Sequence, residues 1–407
     1  MKSISLIISL VFLFHFKPIG AFSQDKAGLI PVDFYGDTIK MPLDSSLSIS
    51  VASPLSDVSV KSFYESVNSS NYLPLINVLL SYKKVHLLDD WLYYQLIRSI
   101  AERVSPKADN YQRYTLYKWF LLAKSGYATT ISIRNERLLL YVQSDEEVFN
   151  IPCHMQFGKQ YVCLNYHDYG NIDFDKEKFT GLDIYIPEAQ KSFSYKVTRL
   201  PDFKPWNYAA KEMQFDYYQT EYHFKVMLNK QVKKIFNNYP VVNYETYFNI
   251  PLSNATYSSL MPLLRENIKK MNQKNGVDYL MRFTRYAFSY EKDTENFGAE
   301  KRLSPEQTLL YDNSDCDDRA GLFFYLVKEF YNLPMIVLSY PQHITIAVKF
   351  DKPIGDVIIY KGNDYSVCEP TPQKEDLRIG ESLPNLRKAP YDVVYSYNPI
   401  IGSIDSK

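Results

Sequence analysis

Apolar residues recur at helical steps between Val60 and Arg103. In "VHLLDDWLYYQLIRSIAERV", Leu88, Trp91, Leu92, Leu96 and Ile100 fall three and four apart, one face of an amphipathic helix. Beyond Pro106, "DNYQRYTLYKWFLLAKSGY" predicts another helix, closed by Gly126 near its C-terminal cap. Short strands follow at "TTISI", "RLLLYVQ" and "QYVCLNY". Residues 171 to 250 are rich in Tyr, Phe and Val. They predict strands at "DIYIP", "SFSYKVTRL", "FDYYQTEYHFKVML" and "YETYFNIP". Helical spacing returns over Leu260–Met271 and Val277–Tyr290. A polar surface loop, "EKDTENFGAEKRLSPEQ", then leads to a helix over residues 316 to 331 and to strands at "MIVLSY", "HITIAVKF" and "DYSVCEP".

This pattern predicts an α+β protein in three parts: an N-terminal helical region over 24–170, a β-rich, sandwich-like module over 171–262, and a C-terminal α+β domain over 263–407. Ahead of them, residues 1–23 have the form of a signal peptide. Lys2 supplies positive charge, Ile4 to Phe16 an apolar run, and Ala21-Phe22-Ser23 a small-residue cleavage site. The expected location is secreted or periplasmic, and no later segment has the apolar length of a membrane span.

Composition narrows the possibilities. The 46 basic and 46 acidic side chains cancel, which gives no electrostatic case for nucleic acid or an anionic membrane as partner. Export permits disulfides. Cys153 and Cys163 flank a predicted hairpin and could pair or be core thiols. The four cysteines lack paired C-x₂-C spacing and there are only six histidines, so no metal site and no cofactor is expected.

Chemistry concentrates around "SDCDDRAGLFFYLVKEF". Asp315 or Ser314 can cap the helix, whose apolar stripe includes Leu322, Phe323, Leu326, Val327 and Phe330. Cys316 then lies in the first turn, where free N–H groups and the helix dipole favour a thiolate. Asp317 and Asp318 oppose it, and Arg319 is expected to neutralise one of them. His343 opens an alternating strand with Thr345 and Ala347 on its face and Ile344, Ile346 and Val348 on the other. Glu369 ends the strand before Pro370-Thr371 and can orient an imidazole; Asp364 is the competing acid, in a Gly-Asn-Asp turn. By strand alternation Cys368 points into the core, away from Cys316.

The order Cys, His, acid on helix, strand and adjacent strand resembles the transglutaminase-like superfamily of papain-like fold. The residues that carry it are Cys316 in "DCDDRA", His343 in "PQHITIAV" and Glu369 in "CEPT", within about a quarter of the chain. The family usually has aspartate where this chain has Glu369. The resemblance implies a papain-like transglutaminase core, a Cys316–His343–Glu369 triad, and amide acyl transfer to water or to an amine from a peptide or protein substrate. It also implies an oxyanion hole made by the Cys316 N–H and an upstream side chain, for which Gln307 and Tyr311 are candidates. The rival expectation is a catalytically inactive module that binds peptide or glycan.

A degenerate second copy is also expected. Placing Arg113 on Arg319, an offset of 206 residues, aligns Leu116 with Leu322, Phe120 with Leu326, and Leu138, Leu140 and Val142 with Ile344, Ile346 and Val348. Asn110 and Arg137 then stand at the Cys316 and His343 positions. An offset of 204 puts Asn165 on Glu369.

Overall fold

The computed structural model describes residues 28–170, 172–291 and 301–399. The proposed signal peptide, 1–23, lies outside the described residues.

The chain is α+β. It opens with a hairpin of β1 (Leu29–Phe34) and β2 (Asp37–Pro42), followed by α1 (Asp57–Asn68), α2 (Leu73–Val85), α3 (Asp90–Val104) and α4 (Tyr111–Lys124). Local chemistry fixes these starts. Ser56 forms a capping box with Ser59 at α1, and the Asn110 side chain accepts the Arg113 N–H at α4. The next strands are β3 (Thr129–Arg134), β4 (Arg137–Gln143), β5 (Val148–Phe149), β6 (Cys153–Gln156), β7 (Lys159–Cys163) and β8 (Thr180–Gly181).

The β-rich middle module does not form. "DIYIP" and "SFSYKVTRL" contain no strand; an isolated bridge pairs Tyr127 with Lys191, just ahead of the second segment. The second segment does alternate, with Phe193, Tyr195 and Val197 buried. Its backbone donors, however, go to side-chain carboxylates of the N-terminal half: Ser194 to Asp90, Tyr195 to Glu146 and Thr198 to Asp89. Carboxylates that take the ladder's donors leave a buried extended strap with no partner strand. The long strands of this region, β9 (Tyr208–Tyr217) and β10 (Thr220–Asn229), pair with each other as a hairpin on the helices that follow. Those are α5 (Gln231–Ile235), α6 (Tyr244–Phe248), α7 (Asn254–Ile268) and α8 (Gln273–Tyr286), with β11 (Val241–Val242) paired to β5. "YETYFNIP" is therefore the helix α6, capped by Asn243, and the expected boundary at 262 falls inside α7.

The C-terminal part contains β12 (Ser289–Tyr290), α9 (Pro305–Leu310), β13 (Asn313–Ser314), α10 (Cys316–Tyr331), β14 (Met335–Tyr340), β15 (His343–Val348), β16 (Val357–Tyr360), β17 (Asn363–Cys368) and β18 (Asp392–Tyr397). Short parallel β12 and β13 pair beside the start of α10.

Two five-stranded antiparallel sheets dominate, ordered β6-β7-β4-β3-β8 and β16-β17-β15-β14-β18. The orders are the same. In each, a hairpin follows a long helix, a second hairpin docks on its later strand, and a final strand returns to its earlier one. β3 and β4 begin 206 residues before β14 and β15; β6 and β7 begin 204 before β16 and β17. One continuous core runs from Val32 to Ile379 and draws on all three expected parts. Each sheet also buries a small cluster on its other face, Ile336, Leu338 and Tyr340 in one and Leu139, Tyr141 and Cys163 in the other.

Candidate functional site

The site begins with the cap of α10. The Asp315 carboxylate accepts the N–H groups of Asp317 and Asp318, at 3.0 and 3.3 Å, while the Asp318 carboxylate returns to the Asp315 N–H at 3.3 Å. Asp318 also takes the Leu303 N–H at 2.8 Å, anchoring the chain ahead of α9. Asp315 is thus the cap expected from the sequence, and it places Cys316 as the first residue of the helix.

Two groups meet the Cys316 sulfur. The thiol lies 3.5 Å from Asp317 Oδ1, as donor to it, and the Ile344 N–H donates to the sulfur. The second contact brings the cysteine to the residue beside His343. Burial pushes the thiol well above its ordinary value, and the charges of Asp317 and Asp315 push it further. The expected cost of the aspartates is therefore present, although Asp318 is spent on backbone amides.

His343 starts β15 opposite Tyr340, at the head of a two-residue turn. Its Nε2 lies 2.7 Å from Glu369 Oε2. Register explains the meeting: Ile346 pairs with Cys368, so one step further Glu369 faces Thr345, two residues along from His343 on the same face. Glutamate, one methylene longer than aspartate, spans that diagonal. Burial acts to lower the His343 pKa, but the hydrogen bond and charge of Glu369, with Asp317 and Asp315, outweigh it and leave it raised.

Glu369 is fixed from three directions. Its Oε1 accepts the Thr371 N–H at 2.9 Å, and its carbonyl receives the Arg285 guanidinium, with Nε at 3.1 Å. Arg285, itself buried, reaches on to Asp376 and the Leu377 carbonyl, each at 2.9 Å. Sequence reading missed Arg285, which is one of several basic residues on an apolar helix.

Burial lowers the Arg319 pKa to about 10, while the charges of Asp318 and Asp315, which it feels, act to raise it. Its guanidinium is buried among carbonyls of Thr284, Arg285, Phe288, Ser289 and Ser314, closing the C-terminal end of α8. The partner of Asp317 is Arg302, with Nε 3.4 Å from Oδ2, assisted by the Tyr244 hydroxyl at 3.1 Å. Tyr247 donates to the Asp317 carbonyl at 2.6 Å. Both tyrosines sit on α6, where Asn243 followed by Tyr244, Tyr247 and Phe248 at helical spacing was the overlooked signal.

The remaining candidates separate clearly. Asp364 is exposed on β17, opposite Ile359, and forms no contact with His343. Gln307 closes the capping box of α9 with Oε1 on the Ser304 N–H, and its Nε2 is buried without a partner among the described residues. Tyr311 lies under Lys233, whose Nζ is 3.7 Å from the ring centroid. All four cysteines are unpaired, Cys153 exposed and Cys163 and Cys368 buried. The donor atoms of Asp315, Cys316 and Asp317 lie within 4.8 Å of one another, but capping and the Arg302 and Tyr244 contacts already account for the two carboxylates. No helix among the described residues is long and apolar enough to cross a membrane.

The helix α4 and the sheet β6-β7-β4-β3-β8 carry no such cluster among the described residues. Asn110 caps α4, Arg137 pairs with Glu177, and Asn165 is buried with Oδ1 on the Leu140 N–H. The Asn165 amide donates to the Tyr111 hydroxyl, which donates to Asp168 at 2.7 Å; Lys107 pairs with Asp168. A hydrogen-bonded chain thus joins Leu140, Asn165, Tyr111, Asp168 and Lys107. No family model, curated protein or solved structure matches this chain.

Proposed function

We propose that this is an exported cysteine enzyme of transglutaminase-like, papain-like type, in which the first copy of the core has lost its catalytic residues. The observation that carries the reading is the convergence at one end of a sheet of a helix-start cysteine, a strand-start histidine and a carboxylate held 2.7 Å from the imidazole.

The proposed step is acyl transfer. The Cys316 thiol exchanges its Asp317 contact for His343, which takes the proton as sulfur attacks an amide carbonyl. A C–S bond forms, the C–N bond breaks, and the amine leaves with the proton from His343. Asp315 leaves the Cys316 N–H for the developing oxyanion, and Gln307 Nε2 is a second buried donor on the preceding helix. Water or an amine then releases the acyl group. Because the resting thiol is held protonated, His343 acts as general base to it, not as one half of a standing ion pair.

A second reading, a binding module without catalysis, is favoured by one observation: the thiol rests on Asp317, which opposes its ionisation. Two measurements separate them. In the enzyme, alkylation of Cys316 by iodoacetamide depends on His343, and His343→Ala lowers the rate near neutral pH. Incubating a casein digest with wild type and Cys316→Ala, read by mass spectrometry, should show amide cleavage or exchange only with wild type. No Cys316-dependent product, together with a His343-independent alkylation rate, would overturn the proposal.

A further inference from the structure

A cavity of about 500 Å³ opens where β1, α3, α4 and α5 meet, lined by none of the residues around Cys316. The helix α3 presents Gln95, Arg98, Ser99 and Glu102 to it, three and four residues apart and so on one face. Tyr114 lines it from α4, Lys234 from α5 and Asp33 from β1. The turn between β1 and β2 holds Tyr35 at φ +52°, where asparagine or glycine is the usual occupant, and this tyrosine lines the cavity within the field of Arg98.

The polar groups of this cavity do not satisfy one another. Arg98 is partly buried and pairs with no carboxylate among the described residues; its neighbours are the phenols of Tyr35, Tyr94 and Tyr114. Its Nη1 donates to Gln95 Oε1 at 2.9 Å. That bond fixes the Gln95 amide, because a turned amide would set N–H against N–H. Gln95 Nε2 is then a buried donor without an acceptor among the described residues, in a residue only 5% exposed. Such an orphan is a cost to the fold that a ligand oxygen would remove. The charge of Arg98 is felt by its neighbour too: after burial, it is the next cause that brings the Lys118 amine down to about 7. Asp33 and Lys234 are exposed and form no ion pair among the described residues. The remaining charges are committed, with Glu102 accepting the Lys107 N–H at 2.9 Å and Lys107 Nζ 2.6 Å from Asp168.

We propose that this cavity binds a small zwitterion of amino-acid type, its carboxylate taken by the Arg98 guanidinium with Gln95 Nε2 and its ammonium by Asp33. A carboxylate offers the two oxygens that a guanidinium fork and an amide N–H can share. A dianion such as phosphate suits the space less well, because Asp33 and Glu102 line it as well. Lys234 gives a second carboxylate a partner, so an acidic amino acid should bind more tightly than its neutral amide. The site is separate from Cys316 and stands whether or not that residue is a nucleophile.

The test is isothermal titration calorimetry of the full chain with L-glutamate, L-glutamine, L-glutamine α-amide, N-acetyl-L-glutamine and inorganic phosphate. Glutamate and glutamine should bind. Losing the α-carboxylate in the amide, or the ammonium in the acetyl form, should weaken binding about tenfold or more, the size of one charge-assisted contact. Arg98→Lys keeps the charge but not the fork and should cost as much. Gln95→Leu should weaken binding while the denaturant midpoint stays level or rises, since it removes a buried donor that has no acceptor. A residue that served packing alone would not separate the two readouts in this way. Asp33→Asn, at an exposed position, should erase the difference between glutamine and its acetyl form, and Lys234→Gln the advantage of glutamate. No binding of either amino acid at about 1 mM, equal affinity for glutamine and its α-amide, or unchanged binding in both Arg98→Lys and Gln95→Leu would overturn the proposal. Phosphate binding more tightly than both amino acids would overturn it as well, in favour of a plain anion site.

Discussion

Replacing Asp317 with asparagine should make Cys316 more reactive, although it removes a residue that touches the candidate nucleophile. The carboxylate oxygen is 3.5 Å from the sulfur. At an effective dielectric of about 20, a full charge there disfavours the thiolate by roughly 4–5 kcal/mol. Arg302, 3.4 Å from the other oxygen, offsets part of this. About 1.5–3 kcal/mol remains, equal to roughly one to two pKa units. Asparagine keeps the shape and an acceptor oxygen, and it leaves Arg302 acting on the sulfur with no carboxylate between them. Below the thiol pKa, each unit of lowering multiplies thiolate by ten but weakens it as a nucleophile about threefold. The net expectation is a three- to fifteenfold faster reaction with iodoacetamide at pH 7. The assay is intact-mass kinetics in a Cys153→Ser background, with Asp364→Asn, an exposed strand aspartate, as control. An Asp317→Asn protein that is folded by circular dichroism yet alkylates at the wild-type rate or slower would refute the electrostatic argument.

Three other outcomes are expected. The His343 pKa is raised by Glu369, so their pairing contributes stability that is fully present below about pH 6.5 and is lost as pH rises through the folded value. The loss in melting temperature caused by Glu369→Gln should therefore be larger at pH 6 than at pH 9, and an equal loss at both would count against the pair. Lys118 is buried among Tyr111, Tyr114 and Arg98, and burial, then Arg98, brings its amine from 10.5 down to about 7. Keeping it so costs on the order of 4 kcal/mol at pH 7 and nothing above about pH 10.5. Lys118→Met should accordingly raise the denaturant midpoint at pH 7, with a gain that shrinks by pH 10; no gain at pH 7 would show the amine to be solvated. Gly380 has φ +81°, and a Cβ there would lie 2.1 Å from the Ile354 carbonyl oxygen. Gly380→Ala should destabilise by about 2 kcal/mol or more in urea and loosen the loop that carries Asp376 and Leu377 to Arg285, lowering Cys316 reactivity as well. Wild-type stability would exclude so close a crossing.

The long helices and the three central strands of each sheet were legible because their apolar periods are regular; the outer strands β6, β8, β16 and β18 were not. Leu92, Leu96 and Ile100 in α3, and Ile344, Ile346 and Val348 in β15, face the common core as their spacing requires. The same regularity made the two segments alignable, with offsets of 206 and 204 that the strand starts reproduce. The middle failed for a definite reason. Phe193, Tyr195 and Val197 alternate as a strand would, but Asp89, Asp90 and Glu146, far away in sequence, take the backbone donors. At the site, Asp315, Cys316, His343 and Glu369 could be named from position alone. The roles of Arg285, Arg302 and Arg319 could not, because each reaches a partner on a different element, and side-chain charge says nothing of which carbonyl or carboxylate it meets.

The matching order of the two sheets has a consequence for how the chain is made. Each sheet is assembled from a contiguous stretch, residues 129–181 and 335–397, so the first can close before the second has been synthesised. Strands at corresponding places of two like-ordered sheets in one chain invite exchange during refolding from denaturant. Here the equivalents differ at their ends, "RLLLYVQ" against "HITIAV", and the charged Arg137 would have to enter the place of His343 beside Glu369. The difference in sequence between the two sheets therefore also acts as a barrier to strand exchange between them.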